Sequence, residues 1–258
     1  MIEVRNVRKS FGDKIVIDDV SAEMQAGKTN LIIGTSGSGK TVLMKIMIGL
    51  MEPDSGEILY EGRNLVGMEE KELKDIRIQI GMLFQGSALF DSKTVEANVM
   101  FPLDMFTRQT RREKQKRVNE VLDRVNLEGS NRKFPAEISG GMKKRVALAR
   151  AIVLNPKYLF CDEPNSGLDP KTSIVIDELI QDITREYNIT TVINTHDMNT
   201  VMERGDHIVY MHKGSKKWEG SNKEIIFSKD EDLNAFIFAS GFLKRAKEMM
   251  MIEEKEHK

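Results

Sequence analysis

The fold class is decided by the stretch Gly34-Thr35-Ser36-Gly37-Ser38-Gly39-Lys40-Thr41, which fits the pattern G-x-x-x-x-G-K-[ST]. The apolar run before it, Asn30-Leu31-Ile32-Ile33, predicts a strand that is covered on both faces, and the residues after it predict a helix from about Thr41 to Leu50. Backbone N–H groups in such a loop, and the N-terminus of the helix, bind anions. The sequence therefore predicts a phosphate-binding loop, with Lys40 on the β and γ phosphates and the Thr41 hydroxyl on Mg²⁺.

Composition excludes several classes of protein. The 258 residues are 40% hydrophobic and 31% charged, which fits a folded globular chain and excludes a disordered or fibrous one. The 39 Lys and Arg residues against 40 Asp and Glu residues leave a net charge of −1, so no nucleic-acid partner is predicted. The basic run 108–117 interleaves no aromatic residues, and a solvated helix face is favoured over a nucleic-acid patch.

Features of the sequence also bear on the compartment. The single cysteine, Cys161, cannot form an internal disulfide, and the N-terminus lacks the basic and apolar segments of a secretion signal. The most apolar segment, Val42 to Met51, is broken by Lys45 and Gly49, so no membrane span is predicted. We expect a cytoplasmic protein, and any action at a membrane would go through a partner.

Changes in hydrophobic period outline the order of elements. Short apolar runs in the first sixty residues predict antiparallel strands. An amphipathic helix is predicted in residues 107–126, with an apolar stripe of Val118, Val121, Leu122 and Val125. Two later buried strands, 158–161 and 190–193, flank a helix and predict a parallel sheet. The fold class is α/β, with a mainly parallel core sheet, an antiparallel β subdomain and a helical insert at about 94–155.

Polar side chains follow several predicted strands. Asp162 and Glu163 come directly after one strand, Gln85 follows the run 80–84, and His196 follows the run 191–195. Because ligands of parallel sheets bind beyond the carboxyl ends of the strands, we expect these four residues to gather with Lys40. Asp162 would hold Mg²⁺ and Glu163 would polarise the attacking water as a general base. On its own, such a pair of acids is as readily explained by loop solvation.

A second candidate anion site precedes a predicted helix. Ser139, Gly140 and Gly141 would offer a hydroxyl and unpaired backbone N–H groups at the start of an alanine-rich run that ends near Leu154. An ordinary helix N-cap is the alternative interpretation. The phosphate-binding loop elsewhere in the chain favours the anion site.

These motifs, in this order over about residues 1 to 240, resemble the nucleotide-binding subunit of ABC transporters, a class of P-loop NTPase. Residues 34–41 are similar to Walker A, Gln85 to the Q-loop, 139–142 to the signature, 158–163 to Walker B, 166–169 to the D-loop and His196 to the switch histidine. The resemblance implies a head-to-tail homodimer that binds two ATP molecules between Walker A and the partner's signature. It also implies a groove for an integral-membrane permease around Gln85 to Asp104.

The resemblance assigns roles to individual residues. It implies an ATPase in which Glu163, His196, Lys40 and Gln85 are catalytic and Thr41, Gln85 and Asp162 hold Mg²⁺. Asp169 would link the two sites of the dimer, and Phe11 would stack on adenine. The residues implied to bind the nucleotide are Phe11, Gly34, Thr35, Ser36, Gly37, Ser38, Gly39, Lys40, Thr41, Val42, Ser139, Gly140, Gly141 and Asp169.

One departure from the usual signature narrows the resemblance. Met142 stands where a glutamine is usual, and Ser-Gly-Gly-Met together with the stretches 83–92 and 98–103 resembles the ATPase of Mla-type phospholipid transporters. That family implies a permease at the inner membrane and a lipid-binding MCE protein beyond it. The alternatives are an ABC ATPase for another cargo, such as an amino-acid importer or a cell-division complex, and a soluble ABC ATPase outside transport. Residues 241–258 are predicted to form a helical tail.

Overall fold

The structure, a computed structural model, describes residues 1–256, which form two compact units. The first unit contains residues 1–25, 29–66 and those from 194 onward, and the second contains residues 26–28 and 67–193. The strands, in chain order, are β1 (Ile2–Phe11), β2 (Lys14–Met24), β3 (Thr29–Ile33), β4 (Ser55–Tyr60), β5 (Arg63–Asn64), β6 (Ile80–Leu83), β7 (Tyr158–Asp162), β8 (Thr190–Thr195), β9 (His207–His212) and β10 (Ser215–Gly220).

The α-helices, in chain order, are α1 (Lys40–Met47), α2 (Glu70–Arg77), α3 (Val95–Phe106), α4 (Arg111–Arg124), α5 (Gly140–Ile152), α6 (Pro170–Glu186), α7 (Met198–Arg204), α8 (Glu231–Ile237) and α9 (Gly241–Glu256). Helix α9 lies in the predicted tail 241–258, whose last two residues lie outside the described residues. Across residues 1–256, none of these helices combines the length and the apolar character that crossing a membrane requires.

The first unit contains an antiparallel sheet in the order β2-β1-β4-β5. Strand β1 pairs on both sides, with Ile2 opposite Met24 of β2 and opposite Tyr60 of β4. These three side chains are almost fully buried and form part of the core. The structure thus confirms the antiparallel strands that the short apolar runs predict.

The phosphate-loop strand also belongs to the first unit. All five residues of β3 are buried, as the apolar run predicts. Strand β9 lies beside β3 in parallel register, with Ile33 opposite Tyr210, and β10 pairs antiparallel with β9. Helix α1 begins at Lys40, immediately after the glycine-rich loop, and it ends at Met47, slightly earlier than predicted.

In the second unit, the strands lie in the order β8-β7-β6. Strands β6 and β7 run parallel, with Ile80 opposite Tyr158 and Leu83 opposite Cys161. Because the register matches at both ends, β6 and β7 leave the sheet side by side. Helix α6 connects β7 to β8 and buries the apolar stripe Ile176, Leu179, Ile180 and Ile183, whereas Tyr187, beyond its last turn, is 39% exposed.

Helices α3, α4 and α5 lie between β6 and β7 in the chain. The predicted stripe of α4 is confirmed, because Val118, Val121, Leu122 and the following Val125 are buried. The helix begins at Arg111, later than predicted, because Thr110 caps it. Its hydroxyl accepts from the Glu113 N–H at 3.4 Å, and the Glu113 carboxylate accepts from the Thr110 N–H at 2.7 Å.

Candidate nucleotide-binding site

The glycine-rich loop follows β3 and packs against the backbone of two other strands. A Cβ atom on Gly34 would lie 2.2 Å from the carbonyl oxygen of Met211 in β9, and one on Gly39 would lie 2.7 Å from the carbonyl oxygen of Val16 in β2. Both glycines also have positive φ, at 149° and 101°. Glycine is therefore required at both positions, and the loop keeps the tight curve that lets backbone N–H groups converge.

Lys40 lies across this curve. Its side chain is buried, and its ammonium donates to the carbonyl oxygens of Gly34 at 2.8 Å and Thr35 at 3.1 Å. The outer residues 35–37 are exposed, as is Thr41 in the first turn of α1. No acidic side chain lies in that first turn, so none from the turn itself opposes the positive end of the helix dipole. A positive, solvent-accessible loop of this kind suits an anionic phosphate.

Phe11 lies at the end of β1 and is 49% exposed. The Lys9 ammonium lies 5.7 Å from the centre of the Phe11 ring and 2.7 Å from a carboxylate oxygen of Asp54, which also accepts from the Ser10 N–H at 2.6 Å. The Lys9 and Ser10 hydrogen bonds lower the pKa of Asp54. Asp54 therefore fixes the Ser10 backbone and the Lys9 ammonium beside the exposed ring of Phe11. An aromatic ring held in this way suits stacking on a nucleobase.

In the second unit, Gln85 and Glu163 are linked through shared contacts. The parallel register of β6 and β7 places both just beyond the same edge of the sheet. The Gln85 amide donates to the Ser166 hydroxyl at 3.2 Å, and the Ser166 N–H donates to the Glu163 carbonyl at 3.1 Å. Glu163 has a φ of 49°, a left-handed conformation that is unusual for a residue other than glycine.

Lys144 of α5 lies beside the same groups and was missed by the sequence reasoning. It is 4% exposed, and its ammonium donates to the carbonyl oxygen of Gln85 and lies 3.5 Å from that of Glu163. Burial lowers the pKa of Lys144, against the opposing effect of Cys161, Asp162 and Glu163. The burial of Lys144, though not its contacts, could have been predicted from helical spacing, since Gly141 and Leu148, three residues before and four after, are both buried.

Arg150, near the end of α5, holds the loop that follows β6 (residues 84–91, hereafter the β6 loop). Its guanidinium donates to the carbonyl oxygens of Ser87 at 2.7 Å and Ala88 at 2.8 Å. Both of those residues have positive φ, at 62° and 47°. Burial lowers the pKa of Arg150. Two cations of one helix therefore fix an irregular backbone that carries Gln85.

The signature residues lie at the start of α5. The Ser139 hydroxyl accepts from the Met142 N–H at 3.3 Å, so Ser139 acts as an ordinary N-cap, and its predicted role toward an anion stays a prediction. Asp169 caps α6, accepting from the N–H of Thr172 at 3.0 Å and from its hydroxyl at 2.5 Å. These hydrogen bonds lower the pKa of Asp169. A Cβ on Gly141 would lie 2.4 Å from Thr172 Cγ2, so the two helix starts are in contact.

An apolar groove of about 310 Å³ lies in the second unit beside the β6 loop. Asn98 of α3, which is fully buried, shapes its rim by accepting from the Phe90 N–H and donating to the carbonyls of Phe90, Lys93 and Thr94. Phe84, Phe90 and Phe106 are each about 40% exposed. The groove is lined in part by Arg77, Phe84, Phe90, Phe101, Pro102, Phe106 and Arg150.

The predicted site residues divide between the two units. Phe11, residues 34–42 and the exposed His196 belong to the first, whereas Gln85, Ser139, Asp162, Glu163 and Asp169 belong to the second. The predicted gathering of Lys40 and His196 with Gln85, Asp162 and Glu163 stays a prediction. The proposed Mg²⁺ ligands, Thr41, Gln85 and Asp162, offer hydroxyl, amide and carboxylate oxygens, and this donor set fits a hard cation such as Mg²⁺.

A buried strand, a glycine-rich loop and a helix N-terminus define a P-loop protein of the α/β class. The family model described as ABC transporter matches residues 17–166. This chain belongs to the ABC transporter family and contains its ATPase domain, as the sequence predicts.

Proteins of similar sequence support this family assignment. The chain is 40% identical to the probable ribonucleotide transport ATP-binding protein mkl of Mycobacterium leprae over 89% of its own length, and it spans 66% of that relative, just under two thirds. It is 42% identical to the methionine import ATP-binding protein MetN of Carboxydothermus hydrogenoformans, covering 88% of the chain and 68% of the relative.

Solved structures give the same result. The chain is similar to the dimeric ATP-binding cassette MJ0796 bound to ADP and Pi, with a TM-score of 0.78, 32% identity and coverage of 86% of this chain and 99% of that one. It is also similar to cbiO1 from Clostridium perfringens, with a TM-score of 0.82, 29% identity and coverage of 97% and 98%.

Proposed function

We propose that this chain hydrolyses ATP as a subunit of a membrane ABC transporter and that the transporter moves phospholipids. The observation that carries the ATPase proposal is the glycine-rich loop, with Lys40 laid across it and the positive end of α1 behind it. The phospholipid cargo rests on the Mla-type resemblance of the signature and of the stretches 83–92 and 98–103. Methionine import is the second candidate, favoured by the MetN relatives.

The chain's own residues supply the steps of hydrolysis. Lys40 and the loop N–H groups bind and orient the phosphates, and Phe11 stacks on the base. Glu163 accepts the proton of the attacking water, while Gln85 and His196 orient the reacting groups. Thr41, Gln85 and Asp162 would hold Mg²⁺, which when bound would offset negative charge on the phosphates.

The proposed assembly is a head-to-tail homodimer at the cytoplasmic face of the inner membrane. Ser139, Gly140 and Gly141 of each protomer would contact the nucleotide bound by the other, and Asp169 would link the two sites. The apolar groove beside the β6 loop supports a contact with the permease, because phenylalanine and arginine are enriched in the cores of protein–protein interfaces. An MCE protein completes the proposed transporter, and no nucleic acid is proposed as a partner.

Glu163→Gln tests the proposed hydrolysis. The amide cannot take the proton, so we expect turnover to fall about 100-fold or more, while ATP binding is kept and an ATP-bound dimer accumulates. Phosphate release and sedimentation measure the two effects. Glu120→Gln, the same change on the exposed side of α4, should behave like the wild type. A Glu163→Gln protein that hydrolyses ATP at the normal rate would refute the assigned role.

The cargo is tested by copurifying the full chain with its membrane partner and reconstituting the complex. ATP hydrolysis stimulated by phospholipid, and phospholipid moved between membranes, are the expected results. Stimulation by methionine with no response to phospholipid would replace the lipid proposal with methionine import.

A further inference from the structure

We propose that Lys144 is a positioning residue for ATP hydrolysis, because its ammonium ties the backbone of Gln85 to that of Glu163. This inference rests on the ATPase function and on the roles proposed above for those two side chains. Lys144 would not touch the nucleotide. It would act by holding the two strand ends, and therefore the two side chains, at a fixed separation.

The contacts form a closed ring. The Lys144 ammonium donates to the Gln85 carbonyl and lies 3.5 Å from the Glu163 carbonyl. The Glu163 carbonyl also accepts from the Ser166 N–H at 3.1 Å, and the Ser166 hydroxyl accepts from the Gln85 amide at 3.2 Å. Because each member of the ring contacts the next, a shift of Gln85 is transmitted to Glu163 through Lys144 on one side and through Ser166 on the other.

The backbone that Lys144 holds is irregular at both ends. Glu163 itself has a left-handed φ of 49°, and the β6 loop continues from Gln85 into two left-handed residues, Ser87 and Ala88. Such conformations cost free energy and persist only where the surroundings impose them. Arg150 imposes the loop conformation at Ser87 and Ala88, and Lys144 adds the link from the loop to Glu163.

The burial of Lys144 argues against a role in packing alone. Its side chain is 4% exposed, and a buried ammonium is unfavourable unless hydrogen bonds compensate for the water it loses. A methionine or leucine would fill the same space without that cost. Its acceptors are main-chain carbonyls just beyond the ends of two neighbouring parallel strands, so the charge acts on backbone geometry.

The test compares Lys144→Met with Lys144→Gln in the full-length chain. Methionine keeps most of the length and the apolar stem of the side chain and removes the donor, so we expect kcat to fall about tenfold or more while KM for ATP stays within about twofold. Glutamine keeps an N–H donor and should restore kcat to within about threefold of the wild type. Lys116→Met, on the exposed face of α4, is the matched control and should leave both constants unchanged.

Melting temperatures show whether each variant is folded. If Lys144→Met does not fold, Lys144→Gln is combined with Ser166→Ala. Because the two contacts link the same strand ends in parallel, each compensates for loss of the other, and the loss in kcat of the double variant should exceed the sum of the single losses. The proposal is overturned if Lys144→Met turns over normally, if its defect lies in KM, if glutamine restores nothing, or if the combined losses are additive. Glu163→Gln is measured in parallel to distinguish failure of this proposal from failure of the proposed hydrolysis. If Glu163→Gln hydrolyses ATP normally, the role of Glu163 as general base is overturned. If Glu163→Gln is inactive and Lys144→Met is normal, only the role of Lys144 is overturned.

Discussion

At the scale of the residue, Gly141 shows why the signature contains glycine at this position. In addition to its predicted contact with a nucleotide, it lets α5 approach α6, since a Cβ would lie 2.4 Å from Thr172 Cγ2. Thr172 cannot easily turn away, because its hydroxyl donates to the Asp169 carboxylate at 2.5 Å. The glycine is therefore required by packing as well as by its predicted site.

This contact makes Gly141→Ala a stability prediction with a specific rescue. We expect the substitution to lower the free energy of unfolding by about 1 to 3 kcal/mol, the usual cost of overpacking. Adding Thr172→Ser removes the clashing methyl and keeps the hydroxyl, so the double variant should recover most of the loss. Urea unfolding of the three proteins measures this. Equal stability of Gly141→Ala and the wild type would contradict the prediction.

Gln85, Glu163 and Lys144 show which parts of the site can be predicted from the sequence and which cannot. The sequence predicted Gln85 and Glu163 because each follows an apolar strand, and the register of β6 and β7 places them at the same edge. It did not predict Lys144, because the Gln85 carbonyl that it contacts lies 59 positions away and belongs to the main chain. A carbonyl oxygen is present at every residue, so no pattern of side chains identifies which one a buried lysine will meet.

At the scale of the element, predictability follows the amount of apolar surface that each element buries. Helix α4 was predicted because three buried valines and Leu122 recur at helical spacing. Helix α2 was not predicted, because its sequence is highly charged and the residue that it buries is Ile76. Strand β10 was missed for the same reason, as none of its residues is fully covered and its apolar content is one tryptophan.

The β9–β10 hairpin is instead held by polar contacts. The His207 ring nitrogen Nε2 lies 2.9 Å from the Glu219 carboxylate, which also pairs with Lys216 at 2.5 Å. The hydrogen bond with His207, and then Lys216, lower the pKa of Glu219 to about 2. A strand with little buried apolar surface therefore obtains part of its stability from an ionised carboxylate.

We expect this carboxylate to give the protein a defined acid sensitivity. Because the folded-state pKa is below the ordinary value of 4.5, the stabilisation is complete above that pH and is lost as the pH falls towards 2. Glu219→Gln should cost about 1 kcal/mol at pH 7, after allowance for solvent screening at a half-buried group. Chemical unfolding at several pH values measures the difference, which should shrink below pH 4.5. A difference that does not change with pH would contradict this origin.

At the scale of the whole molecule, the proposed homodimer predicts complementation between two inactive variants. Lys40→Ala disables the phosphate loop and Ser139→Arg obstructs the signature, so each alone should be inactive. In a head-to-tail dimer of one of each, one composite site is intact. Mixing equal amounts should therefore restore about a quarter of the wild-type turnover, since half of the dimers are mixed and half of their sites are intact.

A second mixture is the control, because it shows whether mixing two inactive variants restores activity without complementation. Lys40→Ala mixed with Glu163→Gln should restore nothing, because the proposed mechanism takes both of those residues of a site from the same protomer. Phosphate release measures all the mixtures, and sedimentation of tagged chains verifies that mixed dimers form. Mixed dimers of Lys40→Ala and Ser139→Arg without activity would contradict the head-to-tail arrangement.

The anchoring of the rim of the apolar groove by Asn98 has a genetic consequence. Asn98 makes four hydrogen bonds to the backbone of residues 90–94 and lies in the second unit, whereas Lys40 and its loop lie in the first. With the permease contact proposed above, a missense allele at position 98 should loosen this rim and reduce transport in cells more than it reduces ATP hydrolysis by the purified chain.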